Sequence, residues 1–442
     1  MDNSQQPTES KKHGMADQQL PYLTADLPGI GGRIREQLED FQVEELPAYA
    51  FCGRGTHAIF RVTKTGVPTP VAVQRIARHM GVSPGHIGFA GMKDSQAVTN
   101  QWMSLEFAAA DQLNRFRDKQ VRISDVTFHT NKLRVGHLAG NRFRIRIRGA
   151  GPAQLPAAGA ILEVLQRRGV PNFFGEQRFG RRGDTGTLGA ALVRGDLDEF
   201  VKLLLGRAGP GDPPECKAAR DAFDAGYLDR ALQCWPRQYT DQRRALIAFK
   251  RKGDPRGAVA AVDKRMKRLF VSAFQSEIFN AVLCQRLATL DRVQVGDLAQ
   301  KTDNGAIFPV LDEAAEQPRA ERMEISPTGP IPGSRCRLAE GEPGRIEREA
   351  LAAVRMGVED FDRVGSLKIK GTRRALRFVL DDARLSAGGD NRGEFLELSF
   401  VLPSGCYATV VLREIMKGQT AAPAAAPEAI APLEDAEEAE EE

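Results

Sequence analysis

Lys93 and Asp94 are the pair in this chain whose types and spacing most directly suggest chemistry. They lie in the stretch Gly88-Phe-Ala-Gly-Met-Lys-Asp-Ser-Gln-Ala-Val-Thr-Asn-Gln-Trp102. Phe89 and Ala90 can close a buried strand, Gly91 lets the backbone turn, and the two charged residues then project from a loop, where binding and catalytic groups concentrate. A cation beside a carboxylate favours its charged form, so Asp94 stays ionised near neutral pH and can serve as a nucleophile or a base. Taken alone, the pair reads first as a turn carrying a solvated ion pair, which contributes little to stability.

A second candidate is Asn141-Arg-Phe-Arg-Ile-Arg-Ile-Arg148. Its period-2 alternation puts Phe143, Ile145 and Ile147 on one face and Arg142, Arg144, Arg146 and Arg148 on the other. A row of guanidinium groups suits RNA phosphates, because each neutralised phosphate releases counterions. It also suits an edge strand protected by charge. Metal chemistry is not indicated. The six cysteines (Cys52, Cys216, Cys234, Cys284, Cys336, Cys406) contain no C-x-x-C pair, and the six histidines form no H-x-E or H-E-x-x-H cluster. The glycines of Gly29-Ile-Gly-Gly32 lack the Lys-Ser/Thr of a P-loop and the spacing of a dinucleotide fingerprint.

The elements that must position these residues follow from patterning. Strand-like alternation covers 40–46, with Phe41 and Val43 on one face, and 57–63 reads as its partner. A helix over 70–80 stops at Gly81. Strands follow at 102–107 and 121–129, then a hairpin over 132–148, then a helix at 157–167. The segment Val170-Pro-Asn-Phe-Phe-Gly-Glu-Gln-Arg-Phe-Gly180 is unusually rich in aromatic and charged residues for a connection. Helices fill 181–252, and 261–287 carries a broad apolar stripe. Short strands are expected at 296–301 and 306–310, an extended rigid loop at 326–333, and a helix at 345–354. Strands at 375–381, 394–402 and 408–413 close the chain, with a glycine turn between the last two presenting Tyr407.

At 442 residues, 42% hydrophobic and 27% charged, the chain is too long for one ordinary core. No apolar run is long enough to span a bilayer, and residues 1–19 are polar without the apolar centre of a signal peptide. A cytoplasmic protein is the expectation. The net charge is +4, yet from Gly418 onward there are eight acidic residues and no lysine or arginine, so the body is more basic than the total suggests. A basic body points to a polyanionic partner. Strands at both ends around a helix-rich middle suggest one sheet domain interrupted by a second.

Four stretches together resemble the TruD family of tRNA pseudouridine synthases: Gly91-Met-Lys-Asp-Ser-Gln-Ala-Val-Thr-Asn-Gln101, Pro171-Asn-Phe-Phe-Gly-Glu-Gln-Arg-Phe-Gly180, Ser326-Pro-Thr-Gly-Pro-Ile-Pro-Gly333 and Leu402-Pro-Ser-Gly-Cys-Tyr-Ala-Thr-Val-Val-Leu-Arg-Glu414. They occur in the family's order, joined by Asp40-Phe-Gln-Val-Glu-Glu45 and Gly140-Asn-Arg-Phe143, and span about 20–417. The resemblance implies an α+β fold: a pseudouridine synthase catalytic domain with a curved mixed or antiparallel sheet, interrupted by a TruD-specific α/β insertion. The corresponding division is a disordered segment 1–19, catalytic parts 20–170 and 372–417, an insertion 171–371 and a disordered acidic tail 418–442. It further implies isomerisation of uridine at position 13 of tRNA, with no metal and no organic cofactor; a monomer is the separate expectation. Asp94 matches the catalytic aspartate, while Phe41, Asn141 and Tyr407 match positions that hold the target base. Arg35 matches a basic position that can pair with Asp94, as Lys93 also can; the sequence does not choose between them. Leu38 departs from the proline that many members carry, the insertion is longer than in the shortest members, and both tails are extra. Another RNA substrate, a non-catalytic RNA-binding protein and a glycoside hydrolase are the rival readings. The last needs a second catalytic carboxylate, and none is evident beside Asp94.

Overall fold

The computed structural model describes residues 20–418; the segment 1–19 and nearly all of the acidic tail, both expected to be disordered, lie outside them. Six strands come early: β1 (Phe41–Pro47), β2 (His57–Thr65), β3 (Gly88–Phe89), β4 (Val98–Glu106), β5 (Val121–His129) and β6 (Leu138–Arg148). Helices α1 (Thr69–Met80), α2 (Ala110–Asn114) and α3 (Leu155–Arg168) lie among and after them. β7 (Val170–Pro171) leads into a helical run of α4 (Thr185–Arg194), α5 (Leu197–Leu205), α6 (Pro214–Asp224), α7 (Leu228–Cys234), α8 (Thr240–Lys252), α9 (Pro255–Ala261) and α10 (Lys264–Arg286). Next come β8 (Leu298–Lys301), β9 (Ile307–Pro309), α11 (Glu313–Glu321), β10 (Ile325–Ile331) and α12 (Gly341–Ala353). The chain closes with β11 (Thr372–Ala375), β12 (Arg377–Phe378), β13 (Asp381–Asp390), β14 (Gly393–Pro403) and α13 (Ala408–Met416).

The main sheet has eight strands in the order β13-β14-β6-β1-β4-β2-β5, with β3 attached to β4. Only β1 and β4 run parallel, so the sheet is mixed and the architecture is α+β. Its strands come from both sides of the helix-rich middle. β8 to β11 form a second, smaller sheet.

Local chemistry explains most elements. α1 begins with Pro70 in its first turn and ends at Gly81, whose left-handed φ of 68° favours glycine. β1 buries Phe41, Val43 and Glu45 in strict alternation. Phe143, Ile145 and Ile147 of β6 bury as their pattern predicts, in one large apolar cluster that also takes in residues of α3, α4, α10 and α13. A second apolar cluster fills the space between α1 and strands β2, β4 and β5. α10 is buried on more than its apolar stripe. Asn280 exchanges two 2.9 Å hydrogen bonds with the Phe174 backbone, and Gln275 donates to the Pro332 carbonyl. α10 crosses α4 so closely that a Cβ on Gly189 would sit 2.0 Å from the Phe270 carbonyl oxygen. Glycine permits that approach.

Five expectations are corrected. The 408–413 stretch is helical: β-branched Thr409, Val410 and Val411 suggest a strand, but burial of Ala408, Val411, Leu412 and Ile415 at helical spacing prevails. Ser326–Gly333 is largely the strand β10, buried at all seven positions. It tolerates prolines because it pairs with β8 up to Pro327 and with β11 from Thr328 onward, so neither side is laddered along its full length. The expected 132–148 hairpin does not form: 132–137 carry no strand, and 138–148 is the single strand β6, which lies between β1 and β14. Nor is β2 the neighbour of β1, since β4 intervenes. The fifth correction concerns the arginine row.

Because β6 is interior, its arginines do not protect an edge, and they do not form a free cationic face. Arg148 is buried and bonds through Nε and Nη2 to both oxygens of fully buried Asp40, at 2.7 and 2.6 Å. The same guanidinium reaches both oxygens of Asp390 at 3.0 and 2.9 Å, pulling that carboxyl down to about 2. Arg144 and Arg146 share Glu397, and Arg142 lies 3.7 Å from Asp382. Arg148 is therefore a structural clamp that ties β6 to β13 and to the turn before β1.

Two outcomes follow. Arg148→Gln strands the Asp40 carboxylate in the interior and lowers stability by on the order of 3 kcal/mol in urea titrations; an unchanged midpoint would refute the clamp. Glu277 of α10 is buried without a partner for Oε1, and burial lifts its carboxyl from 4.5 to about 7. A raised pKa means that the folded chain keeps the proton to higher pH than the unfolded chain does. Stability then falls as pH rises from about 4.5 to about 7. Glu277→Gln, which stays neutral, flattens that decline; parallel midpoint-versus-pH curves for the two proteins would contradict it.

Candidate active site

Asp94 sits in the loop between β3 and β4, at the edge of the first-half strands. The loop is fixed by its backbone. The ammonium of Lys64, fully buried on the inward face of β2, donates to the carbonyls of Lys93 at 3.1 Å and Asp94 at 2.9 Å. Thr69 accepts from the Lys93 N–H at 3.1 Å and donates to Gln101, whose amide in turn holds the Gly91 carbonyl. Each is a buried polar group satisfied by the loop, as burial requires.

The side chains of Lys93 and Asp94 go different ways. Lys93 turns into the protein and forms an ion pair with Glu45 of β1 at 2.7 Å, without a well-aligned hydrogen bond; the two side chains are 5% and 1% exposed. The other oxygen of Glu45 accepts from the Trp102 N–H at 3.1 Å. Asp94 remains open, with its side chain 26% exposed. Its Oδ1 accepts from the Gln96 N–H at 2.9 Å and its Oδ2 from Nη2 of Arg35. The structure thus pairs Asp94 with Arg35 and gives Lys93 to Glu45.

Arg35 reaches Asp94 from a strained position. Its φ is 60°, which side-chain-bearing residues seldom adopt. The chain beside it is pinned by two reciprocal 2.8 Å hydrogen bonds between Arg33 and Arg148. The Arg35 guanidinium lies 4.3 Å from the centre of the Phe41 ring, and its Nε is buried without a partner. Phe41 itself is 2% exposed and meets Phe143 edge-on. In this conformation Phe41 supports Arg35, and Arg35 covers the ring face that a base would need.

The remaining candidates converge through the sheet register. Asn141 of β6 stands between Glu45 on one side and Leu402 on the other. Its side-chain Oδ1 is buried and unbonded. Beyond Leu402 the chain turns, tied back by Ser404 N–H to the Ala139 carbonyl at 3.2 Å, and presents Tyr407, 39% exposed, immediately before α13. Behind that turn, Arg374 donates to the Gly405 carbonyl and to Asn172. The segment 171–180 therefore abuts the turn that carries Tyr407.

Three contributors were not singled out from sequence: Lys64, Glu45 and Arg374. Lys64 had a signal, because it continues the inward parity of Phe60 and Val62 where a lysine is out of place. Arg374 had none, since its partners lie 31 and 202 residues away. Among the described residues, no group of three or more His, Cys, Asp or Glu side chains is placed to hold a metal ion, and no helix is long and apolar enough to cross a membrane. A cavity of about 460 Å³ lined by Arg167, Arg168, Asp291 and Arg292 contains none of these site residues.

The chain is similar over most of its length to known proteins. Residues 18–415 match the family model for tRNA pseudouridine synthase D (TruD). The chain is 46% identical to a tRNA pseudouridine synthase D of Geobacter metallireducens, over 90% of this chain and 98% of that protein. It is 44% identical to the namesake protein of Geobacter sulfurreducens, over 90% and 96%. Among solved structures it resembles a Methanosarcina mazei protein described as a candidate tRNA pseudouridine synthase D (TruD), with a TM-score of 0.81 and 29% identity, covering 90% of this chain and 96% of that one.

The Lys93–Glu45 pair yields a test of its own. Lys93→Met or Glu45→Gln alone leaves one buried charge unmatched and costs on the order of 3 kcal/mol. The double variant recovers a large part of that loss, because both charges leave together. Additive losses in urea unfolding would show that the pair is not coupled.

Proposed function

Because the chain belongs to the TruD family of tRNA pseudouridine synthases, it is an isomerase that converts uridine to pseudouridine in tRNA, and we propose that Asp94 is the group that begins the reaction at the uridine C1′. The observation that carries this reading is a carboxylate left open to solvent, braced by Arg35 and a backbone N–H, in a loop whose one other charge, Lys93, is turned inward. Two hydrogen bonds leave each carboxylate oxygen a further lone pair for substrate.

The isomerisation conserves atoms and electrons. The N1–C1′ bond is exchanged for a C5–C1′ bond, C5 gives up a proton and N1 gains one. No redox group is required. Asp94 either attacks C1′ covalently or removes a proton as the glycosidic bond breaks. The base must first leave the RNA stack, at a cost of a few kcal/mol. Stacking on Tyr407 offsets about 1–3 kcal/mol of it. The unbonded Asn141 Oδ1 is an acceptor for a uracil N–H, and Phe41 holds Arg35 against Asp94. The reading takes position 13 of tRNA as the target, residues 171–371 as an insertion in the catalytic domain, and a monomer working in the cytoplasm beside its tRNA, without metal or organic cofactor.

Asp94→Asn removes the reactive charge at nearly constant shape. It abolishes tritium release from [5-³H]uridine-labelled tRNA in single turnover, while tRNA Kd shifts by no more than about threefold, since one group among many contacts is lost. Pseudouridine formation at near wild-type rate would remove Asp94 from the mechanism.

A further inference from the structure

Most buried arginines among the described residues face an acid: Arg148 faces Asp40, Arg220 Asp212, Arg286 Asp297 and Arg373 Glu347. Arg377 instead donates to the carbonyls of Arg168, Ala320 and Ile325, and two arginines beside Tyr407 have neither an acid nor such a set of carbonyls. Arg178, 8% exposed, rests on neutral hydroxyls, with Nη2 on Ser272 and Nε 3.4 Å from Ser276. Arg374 donates through Nη2 to the Asn172 side-chain oxygen and, at 3.2 Å, to the Gly405 carbonyl; its Nε is buried without a partner. Neither has a carboxylate partner among the described residues, and neither Nη1 makes a hydrogen bond there.

The two cations are neighbours. Both guanidiniums approach the Phe174 ring, at 5.8 and 4.4 Å from its centre. Burial holds both below the ordinary arginine range, and Arg374 pushes Arg178 down further; the Tyr407 hydroxyl is close enough to influence both. Guanidinium nonetheless stays protonated in proteins. One buried and one half-buried cation, side by side, are partly compensated by hydroxyls, an amide oxygen, a carbonyl and the Phe174 ring, yet meet no opposite charge. An anion completes them.

We propose that Arg178 and Arg374 form a binding site for an RNA backbone phosphate adjoining the nucleotide whose base meets Tyr407. The assignment rests on the reading of Tyr407 as a contact to the target base. The anion is a polymer phosphate because Arg374 is bonded to the very turn that carries Tyr407, and RNA has a phosphate on either side of every base. The planar fork of arginine matches phosphate in paired hydrogen bonds. Such contacts set register on the RNA without reading sequence. The site lies where segment 171–180 joins β11, which gives that segment a reason for its Gln-Arg-Phe.

The test uses the full chain and an RNA hairpin containing the target uridine, in versions whose flanking phosphates are replaced one at a time by a neutral methylphosphonate. Arg374→Gln and Arg178→Gln each raise Kd about tenfold and reduce the slope of log K against log salt by about 1. One neutral linkage weakens the wild type about tenfold and weakens Arg374→Gln no further, because the contact is already gone. Arg178→Lys, which keeps the charge without the fork, retains the salt slope with weaker binding, and serves where a Gln variant melts early. Losses that multiply at every linkage, or an unchanged salt slope in folded variants, would overturn the site. Absence of pseudouridine in the unmodified hairpin with wild-type protein would instead defeat the functional reading on which it rests.

Discussion

The divergence of two adjacent side chains is the constraint around which the site is built. Lys93 and Asp94 are consecutive, yet one charge is buried against Glu45 and the other stays open against Arg35. That geometry persists only if the backbone between them is fixed. Lys64 fixes it by donating to both of their carbonyls from a fully buried position. The dependence is mutual. A buried ammonium needs acceptors, and the loop's two carbonyls supply them; a glycine-led loop needs anchors, and the ammonium supplies one. Asp94 therefore inherits its orientation from strand β2, while its charge partner arrives from the segment before β1.

The same reasoning separates the arginines into two groups. Where both neighbours of a guanidinium are carboxylates, as at Arg148, its bonding capacity is spent on holding strands together. Where the neighbours are hydroxyls, an amide oxygen and a carbonyl, as at Arg178 and Arg374, the cation is held in place but not neutralised. Position on a strand does not distinguish them; the sign of what packs opposite does. A basic chain can thus present a row of four arginines that all have acidic neighbours and still hold cations without a carboxylate partner elsewhere.

Much of the fold was legible because periodicity reports burial directly. β1, β6, β14, α1, α3 and α10 each carry a pattern that only one secondary structure satisfies. The failures share a cause. In α13, in the proline-bearing β10 and in the 132–148 region, local preference pointed one way and non-local packing decided the other. Strand order was the least accessible feature, since β4 inserts between β1 and β2 through a pairing that no local pattern encodes. For the site, the motif Gly91–Gln101 marked the loop and the resemblance singled out Asp94, Asn141 and Tyr407. Phe41 was marked as a base contact without any indication that Arg35 covers it.

The choice between Arg35 and Lys93 shows why sequence proximity misleads about charge pairing. In extended or loop backbone, consecutive side chains point to opposite sides, so the residue next to a carboxylate is among the least able to fold back on it. A partner must come from another segment. Arg35 does so from 59 residues away, and reaches only by adopting a positive φ that the neighbouring Arg33–Arg148 hydrogen bonds hold in place. Arg148 in turn is anchored by Asp40, the residue before Phe41. The structural clamp and the Asp94 carboxylate are thus linked through one short run of chain: displacing Arg148 frees the segment that aims Arg35, and so loosens Asp94 without touching it.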